Sequence, residues 1–250
     1  MNLTVHRNEL DAASAAADLV AAAVRTRPTL VIGWSAGRAT LALYRQLAAR
    51  HGRDRVDLSA TTAFTLEEFW PLAPDHPGSC RAHMQRHLFG HVEIPRARVH
   101  LLDGMASDAR AECLRFERVL STAGGLDLLV IGVGANGHLG FNEPARALQA
   151  RAHVCELRPQ ARRAHASFFG SDARGVPQSA LSVGMATLLR ARHIVAVASG
   201  RGKGRAVERM INGPLTTRLP ASFLQLPARV DVVLDEAAAE RFADTQRLHR

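Results

Sequence analysis

The fold and the chemistry of this chain are organised around Val130-Ile131-Gly132-Val133-Gly134-Ala135-Asn136-Gly137-His138-Leu139-Gly140-Phe141-Asn142-Glu143-Pro144. The apolar run from Leu126 to Ile131 has the length and branched composition of a buried strand. The glycines that follow allow a ligand to approach the main chain closely. Polar groups directly after a buried strand are typical of a ligand crevice in an open α/β sheet. An ordinary glycine-rich turn is the alternative, but a His, a Glu and two Asn in one loop favour a functional site.

Segments with helix and strand patterns alternate along the rest of the chain. A helix is predicted from Asn8 to about Thr26. Further strands are predicted at Thr29–Gly33, Val56–Thr65, Val99–Leu102, His193–Ala198 and Val230–Leu234. This alternation predicts an α/β fold with a doubly wound, mostly parallel sheet. Because the chain has 250 residues and no Pro/Ser-rich linker, a single domain over residues 1–250 is expected.

Composition narrows the range of partners and compartments. The formal charge is +9, but no basic run is interleaved with aromatic residues, so nucleic acid is not an expected partner. The apolar runs are too short to cross a membrane, and the Ala-rich start carries acids, which favours a helix over a signal peptide. Cys80, Cys113 and Cys155 are scattered and odd in number, which predicts buried thiols in a reducing cytoplasm. The oligomeric state stays open, with a homo-oligomer as one alternative.

The motif G-x-N-G-H-x-G-F-N-E-P at residues 134–144 resembles the active-site loop of the glucosamine-6-phosphate deaminase/isomerase family. The resemblance extends from about Leu30 to Leu234. The family is related more distantly to 6-phosphogluconolactonases, which share the G-H but lack F-N-E-P, and to ribose-5-phosphate isomerases. The resemblance implies a Rossmann-like domain of the ribose-5-phosphate isomerase/CoA-transferase type. It also implies a phosphorylated aminosugar as the substrate.

Two loops have the character of anion sites. Trp34–Thr40 leads from a short strand into a helix, where free amides and the helix dipole favour an anion. The family has a phosphate loop here, and the candidate phosphate ligands are Ser35, Gly37 and Arg38. This chain has Ala36 and Ala39 at two positions where the family has Thr, which leaves the identity of the anion open.

The second loop, Ser199–Gly204, contains the only lysine of the chain, Lys203. A chain that uses Arg elsewhere yet keeps one Lys between two glycines suggests a site that needs a compact ammonium. Chance survival on a loop is the alternative. Lys203 matches the phosphate-binding Lys of the family.

Glu67 and Glu68 directly follow the strand predicted to end at Thr65. They are either solvated turn residues or include a base that faces the crevice. The resemblance favours the second reading, because Glu67 falls on the family's proton-transfer base. The family has Asp there, so the extra methylene requires the carboxylate to be set back or the substrate to be held differently.

The resemblance implies aldose–ketose isomerisation coupled to loss of an amine. A neutral His suits ring opening because its pKa lies near working pH, so His138 is the candidate, with Glu143 supporting its charge and Asn136 fixing its orientation. Amides around Gly134 could stabilise oxyanion charge. Glu67 would move the proton from C2 to C1. No metal or redox cofactor is required.

Residues 157–177 match a mobile lid in the family, where an Arg grips the substrate phosphate. That Arg falls on Ser167 in this chain, so Arg162, Arg163 or Arg38 is left to supply the charge. His83, His87 and His91 are spaced by four residues and are predicted to form a surface or interface stripe. A metal face is less favoured because no acidic or Cys ligand accompanies them.

Two other functions remain open at this point. A 6-phosphogluconolactonase-type hydrolase is suggested by the shared G-H and opposed by F-N-E-P. A divergent sugar-phosphate-binding member with an altered substrate is suggested by Ala36, Ala39, Glu67 and Ser167.

Overall fold

A computed structural model describes residues 1–53 and 56–248, so four residues of the predicted 1–250 domain lie outside the described part. The strands are β1 (Asn2–His6), β2 (Val31–Trp34), β3 (Thr62–Thr65), β4 (Glu67–Trp70), β5 (Val99–His100), β6 (Leu128–Gly132), β7 (His153–Glu156), β8 (Ser179–Ser182), β9 (His193–Ala198) and β10 (Val230–Asp235). The helices are α1 (Glu9–Thr26), α2 (Leu41–Arg53), α3 (Cys80–Met84), α4 (Ala109–Thr122), α5 (Pro159–His165), α6 (Met185–Leu189), α7 (Gly204–Asn212) and α8 (Glu236–Leu248).

The seven strands of the main sheet run in the order β1-β10-β9-β6-β2-β3-β5, and every pair is parallel. The four strands β2, β6, β9 and β10 are buried almost throughout, because helices cover both faces of the sheet. Two apolar clusters form the core, one on each side of these strands. The predicted doubly wound α/β class is therefore confirmed.

The strand order reverses between β2 and β6. The chain moves outward through β3 and β5, returns to place β6 beside β2, and continues on the other side through β9 and β10. The loops after β2 and β6 therefore diverge and leave a crevice at the carboxyl ends of these strands. The stretch 130–144 enters this crevice directly.

A second sheet of three antiparallel strands, β4-β8-β7, packs beside the first. Sequence analysis did not predict it. The chain leaves β3 at Thr65 and passes through the buried Leu66, and β4 begins at Glu67. Because successive side chains of a strand point to opposite faces, Glu67 and Glu68 face different surroundings.

The predicted strand Val56–Thr65 is shorter than expected. Regular pairing begins only at Thr62, and the preceding turn is closed by the Thr61 hydroxyl, which donates to the Leu58 carbonyl. The helical segment that follows Ser79 is divided into α3 and a wider π-helical turn at Gln85–Phe89. α1 begins at Glu9 with Asn8 as its cap, close to the predicted bounds.

Candidate active site

A cavity of about 750 Å³ lies at the carboxyl ends of β2, β3, β6 and β9. Nine of the residues that the sequence singles out for catalysis or substrate binding line this cavity. These residues are Ser35, Gly37, Arg38, Glu67, Gly134, Asn136, His138, Glu143 and Lys203. They come from four separate segments of the chain, each of which follows a strand of the parallel sheet, so the sheet places them at one edge.

Glu67 is a buried carboxylate with one bonded and one free oxygen. Its Oε1 accepts hydrogen bonds from the Ser35 hydroxyl at 2.8 Å and from the Ala36 amide at 2.5 Å. Its Oε2 is buried and has no hydrogen-bond partner among the described residues. Burial raises the pKa of Glu67 to about 7, although these two hydrogen bonds oppose the shift. The carboxylate is thus anchored through one oxygen, while the other remains available.

Glu68 has a structural position. Its carboxylate accepts hydrogen bonds from the backbone amides of Phe69, Cys80 and Arg81 at 2.8, 2.8 and 2.9 Å. Two of these amides belong to the first turn of α3, where amides have no partner within the helix. Glu68 therefore holds the start of α3 against β4, and of the two adjacent acids only Glu67 lines the cavity.

His138 is oriented by Asn136 and Glu143. Its Nδ1 lies 2.8 Å from Asn136 Oδ1 and 3.3 Å from Glu143 Oε1, and the Asn136 amide donates to Glu143 Oε2 at 2.7 Å. Because both neighbours of Nδ1 are acceptors, this network assigns the imidazole hydrogen to Nδ1. Nε2 is then left with its lone pair. Burial, and then Lys203, lower the pKa of His138 to about 4, so the ring is neutral at physiological pH.

The glycines of the loop make room for this arrangement. A Cβ on Gly134 would lie 2.4 Å from Cε1 and Nδ1 of His138, so the imidazole occupies the space of the missing side chain. Gly140 has a φ of +59°, and a Cβ there would lie 3.1 Å from Glu67 Oε2. The backbone of one loop therefore passes close to both the imidazole and the free carboxylate oxygen.

Two cations lie at another part of the cavity. Lys203 belongs to the turn Arg201–Lys203 before α7, and Arg38 begins the turn Arg38–Thr40 after β2. Burial, and then the positive charge of Arg38, lower the pKa of Lys203. Neither cation forms an ion pair with an acidic side chain of the described residues, and two such like charges favour an anionic ligand.

The structure distinguishes among the three arginines that sequence analysis left as candidates to supply the phosphate-binding charge. Arg162 donates to the backbone carbonyls of Val176 and Arg174 at 2.9 and 3.1 Å and does not line the cavity. Arg163 is exposed and also lies outside it. Arg38 lines the cavity beside Lys203, whereas Ser167 is exposed and does not.

The predicted surface stripe of histidines is wrong for His83. This side chain is only 3% exposed and lines the cavity, with its ring 5.1 Å from that of Phe168. Four-residue spacing places the three histidines on one side of a helix but does not reveal which side is covered. His91 is exposed as predicted.

Three further cavity residues escaped sequence analysis. Arg158, His165 and Phe168 lie in the 157–177 segment and line the cavity. The only available signal was the resemblance of that segment to a lid, which does not say which residues face inward. Within residues 1–53 and 56–248 there is no cluster of three His, Cys, Asp or Glu side chains that could hold a metal ion. None of the helices described is sufficiently long and apolar to span a bilayer.

A buried carboxylate, an oriented neutral imidazole and a pair of cations at the carboxyl edge of a parallel sheet define an enzyme site for a small anionic substrate. Comparison with known proteins agrees with this class. A family model described as glucosamine-6-phosphate isomerases/6-phosphogluconolactonase matches residues 7–234, and the chain belongs to this family.

Similar proteins cover the whole chain. A glucosamine-6-phosphate deaminase of Halothermothrix orenii is 39% identical over 239 residues, which span 96% of this chain and 99% of that protein. One from Corynebacterium aurimucosum is 39% identical over 257 aligned positions that span 100% of both. A solved structure of a monomeric glucosamine-6-phosphate deaminase has a TM-score of 0.93 at 32% identity, covering 96% of this chain and 100% of that one. A 6-phosphogluconolactonase of Leishmania guyanensis has a TM-score of 0.76 at 20% identity, with 96% and 97% coverage, which is a likeness of fold alone.

Proposed function

We propose that the protein is a glucosamine-6-phosphate deaminase-like enzyme. It converts an aminosugar phosphate, glucosamine 6-phosphate or its galactosamine epimer, into the corresponding ketose phosphate and ammonia. The observation that carries this proposal is the free, buried Oε2 of Glu67 in one cavity with the unprotonated Nε2 of His138. The first group suits transfer of a carbon-bound proton, and the second suits the opening of a sugar ring.

The substrate phosphate binds between Arg38 and Lys203, where the amide of Gly37 adds a donor. Two cations match a phosphate that carries nearly two negative charges at neutral pH. Arg38 thereby supplies the charge that the family places at the position of Ser167. Residues 157–177 form a lid over the sugar. Ser35 has a different role from a phosphate ligand, because its hydroxyl hydrogen is directed at Glu67.

Ring opening uses His138 as the base. Nε2 takes the proton of the anomeric hydroxyl and returns a proton to the ring oxygen, so the ring C–O bond breaks and a C1 aldehyde forms. During this exchange the imidazole is transiently positive, and the Glu143 carboxylate 3.3 Å from Nδ1 stabilises that charge. Asn136 keeps the ring in the required tautomer. The amide groups around Gly134 stabilise oxyanion charge on the substrate.

Glu67 then removes the C2 proton while a proton of the 2-ammonium group passes to O1, which gives an enolamine. Glu67 next delivers its proton to C1. The C2 carbon is left as an iminium, which adds water and releases ammonia to yield the 2-ketose phosphate. Because one carboxylate oxygen is fixed by Ser35 and Ala36, the other is held at a defined position. This anchoring accommodates the extra methylene of Glu relative to Asp by drawing the carboxylate back toward the β2 loop.

The direct test is incubation of the protein with glucosamine 6-phosphate and, separately, galactosamine 6-phosphate, with ammonia and ketose phosphate both measured. Equal amounts of the two products from at least one epimer are expected. Absence of product from both would refute the proposal. Hydrolysis of 6-phosphogluconolactone, measured in parallel, is expected to stay at its spontaneous rate, because the lactonase structures share only the fold.

The acid side of the pH profile should report Glu67. A base must be deprotonated to act, and the pKa of Glu67 is raised to about 7, whereas His138 is already neutral above about 4. The value of kcat/KM is therefore expected to fall about tenfold per pH unit below about 7. Ser35→Ala removes a hydrogen bond that lowers the pKa of Glu67, so its acid limb should move to higher pH. If the acid limb of Ser35→Ala coincides with that of the wild type, the fall in kcat/KM reports a group other than Glu67.

Arg38→Met tests the phosphate site. Loss of one charge-assisted contact costs about 1.5–3 kcal/mol, so we expect KM to rise about 10- to 100-fold with a smaller change in kcat. Arg163→Met is the matched control, because Arg163 is exposed and lies outside the cavity. The test is a steady-state measurement of KM and kcat for both variants. Equal KM values for Arg38→Met and the control would show that another group binds the phosphate.

A further inference from the structure

His165 ends α5 and lies against the reacting end of the cavity. Its ring packs on Phe141 and Phe69 at centroid distances of 5.1 and 5.6 Å, and Phe168 lies 6.2 Å away. The ring of His138 is 6.3 Å away and tilted by 39°. The lid therefore places a second imidazole beside the one that opens the sugar ring.

The imidazole of His165 lacks a hydrogen-bond partner in the part of the chain that the structure describes. Neither ring nitrogen forms a hydrogen bond with another described residue, and Nε2 is fully buried. A buried polar group left unpaired costs about 1–3 kcal/mol, so such a group in a ligand cavity calls for a partner from the ligand. The three surrounding phenylalanine rings offer van der Waals contact but no conventional hydrogen bond.

The charge state of His165 suits a neutral polar ligand group. Burial lowers its pKa to about 4, the neighbouring His138 acts in the same direction, and Glu143 opposes both. A neutral imidazole offers one donor and one acceptor, which matches the hydroxyl groups of a sugar. A phosphate would instead require a cation, which Arg38 and Lys203 provide elsewhere in the cavity.

We propose that His165 is a substrate-binding residue of the lid, whose imidazole hydrogen-bonds a sugar hydroxyl beside His138. This inference rests on the proposed function for the identity of the sugar phosphate. It assigns recognition of the two ends of the substrate to different elements: the loops after β2 and β9 bind the phosphate, and α5 binds the sugar.

The test compares two ligands of the intact protein by calorimetry. One is inorganic phosphate, and the other is 2-amino-2-deoxyglucitol 6-phosphate, which lacks the C1 carbonyl and so cannot isomerise. His165→Phe keeps an aromatic ring but removes both nitrogens, so its Kd for the alditol phosphate should rise about 3- to 10-fold, the worth of one neutral hydrogen bond. Its Kd for inorganic phosphate should stay within twofold of wild type. Ser167→Ala, an exposed lid position outside the cavity, is the control.

His165→Gln, which keeps a donor and an acceptor, should recover part of the affinity. An unchanged Kd of His165→Phe for the alditol phosphate would overturn the proposal. Equal losses for both ligands would overturn it too, because they would indicate an effect on lid packing. Turnover by the wild-type protein is measured alongside. An inactive wild type would refute the proposed function, whereas the Kd values test the assignment of His165 separately.

Discussion

Replacing Glu67 by Gln should lower kcat about 10²- to 10⁴-fold and leave KM for the aminosugar phosphate within a few-fold of wild type. The amide keeps the size of the side chain, and its oxygen can still accept from Ser35 and Ala36. It has no proton-accepting carboxylate oxygen at the position of Oε2. Substrate binding should therefore survive while proton transfer at C2 fails.

The decisive measurement for Glu67→Gln is exchange at C2. Wild-type enzyme should remove deuterium from C2 of a labelled substrate, either carrying it to C1 of the product or losing it from Glu67 to solvent, and the variant should do neither. Glu68→Gln is the matched control, because it changes the adjacent buried carboxylate, which caps α3 and does not line the cavity. Glu68→Gln should lower the Tm while turnover stays close to that of the wild type. Undiminished turnover by Glu67→Gln would show that Glu67 is not the base.

The parts of the site that could be predicted are those fixed by the ends of parallel strands. The loop 130–144 follows a strand that is buried on both faces, and its glycines and polar residues are contiguous in the sequence. Lys203 and Arg38 follow two other buried strands. Because every strand of such a sheet ends at the same edge, three local patterns are sufficient to predict one cavity.

The antiparallel sheet could not be predicted in the same way. β4 is four residues long and begins with two acids, and β7 and β8 are equally short. Such segments lack the alternation that reveals a longer strand. The pairing of β4 with β8 depends on contacts between residues more than a hundred positions apart, such as Glu67 with Ser182. The orientation of Glu67 toward the cavity follows from that pairing.

The positions of two histidine side chains could not be predicted from the sequence for the same reason. His83 lies on a segment with helical spacing, but its burial depends on Phe168, which belongs to the distant 157–177 segment. The inward position of His165 similarly depends on Phe69 and Phe141 from two other elements. No local sequence pattern indicates either set of contacts, because each is created by tertiary packing.

Gly134→Ala should reduce kcat/KM about 10²-fold or more without unfolding the protein. The new Cβ would lie 2.4 Å from two atoms of the His138 ring, whereas ordinary contact begins near 3.4 Å. The imidazole must therefore move by about 1 Å, which separates Nδ1 from Asn136 and Glu143. Displacement of a catalytic group by about 1 Å can cost on the order of 10²-fold in rate.

Gly175→Ala is the matched control for Gly134→Ala, because a Cβ there meets its neighbours only at 3.5 Å or more and lies outside the cavity. Both variants should bind inorganic phosphate as the wild type does, since Arg38 and Lys203 are unchanged. The loss of rate in Gly134→Ala should arise at the ring-opening step. A substrate of which a larger fraction is in the open-chain form should therefore restore part of the rate. Full activity of Gly134→Ala on the cyclic substrate would mean that the position of the imidazole does not govern catalysis.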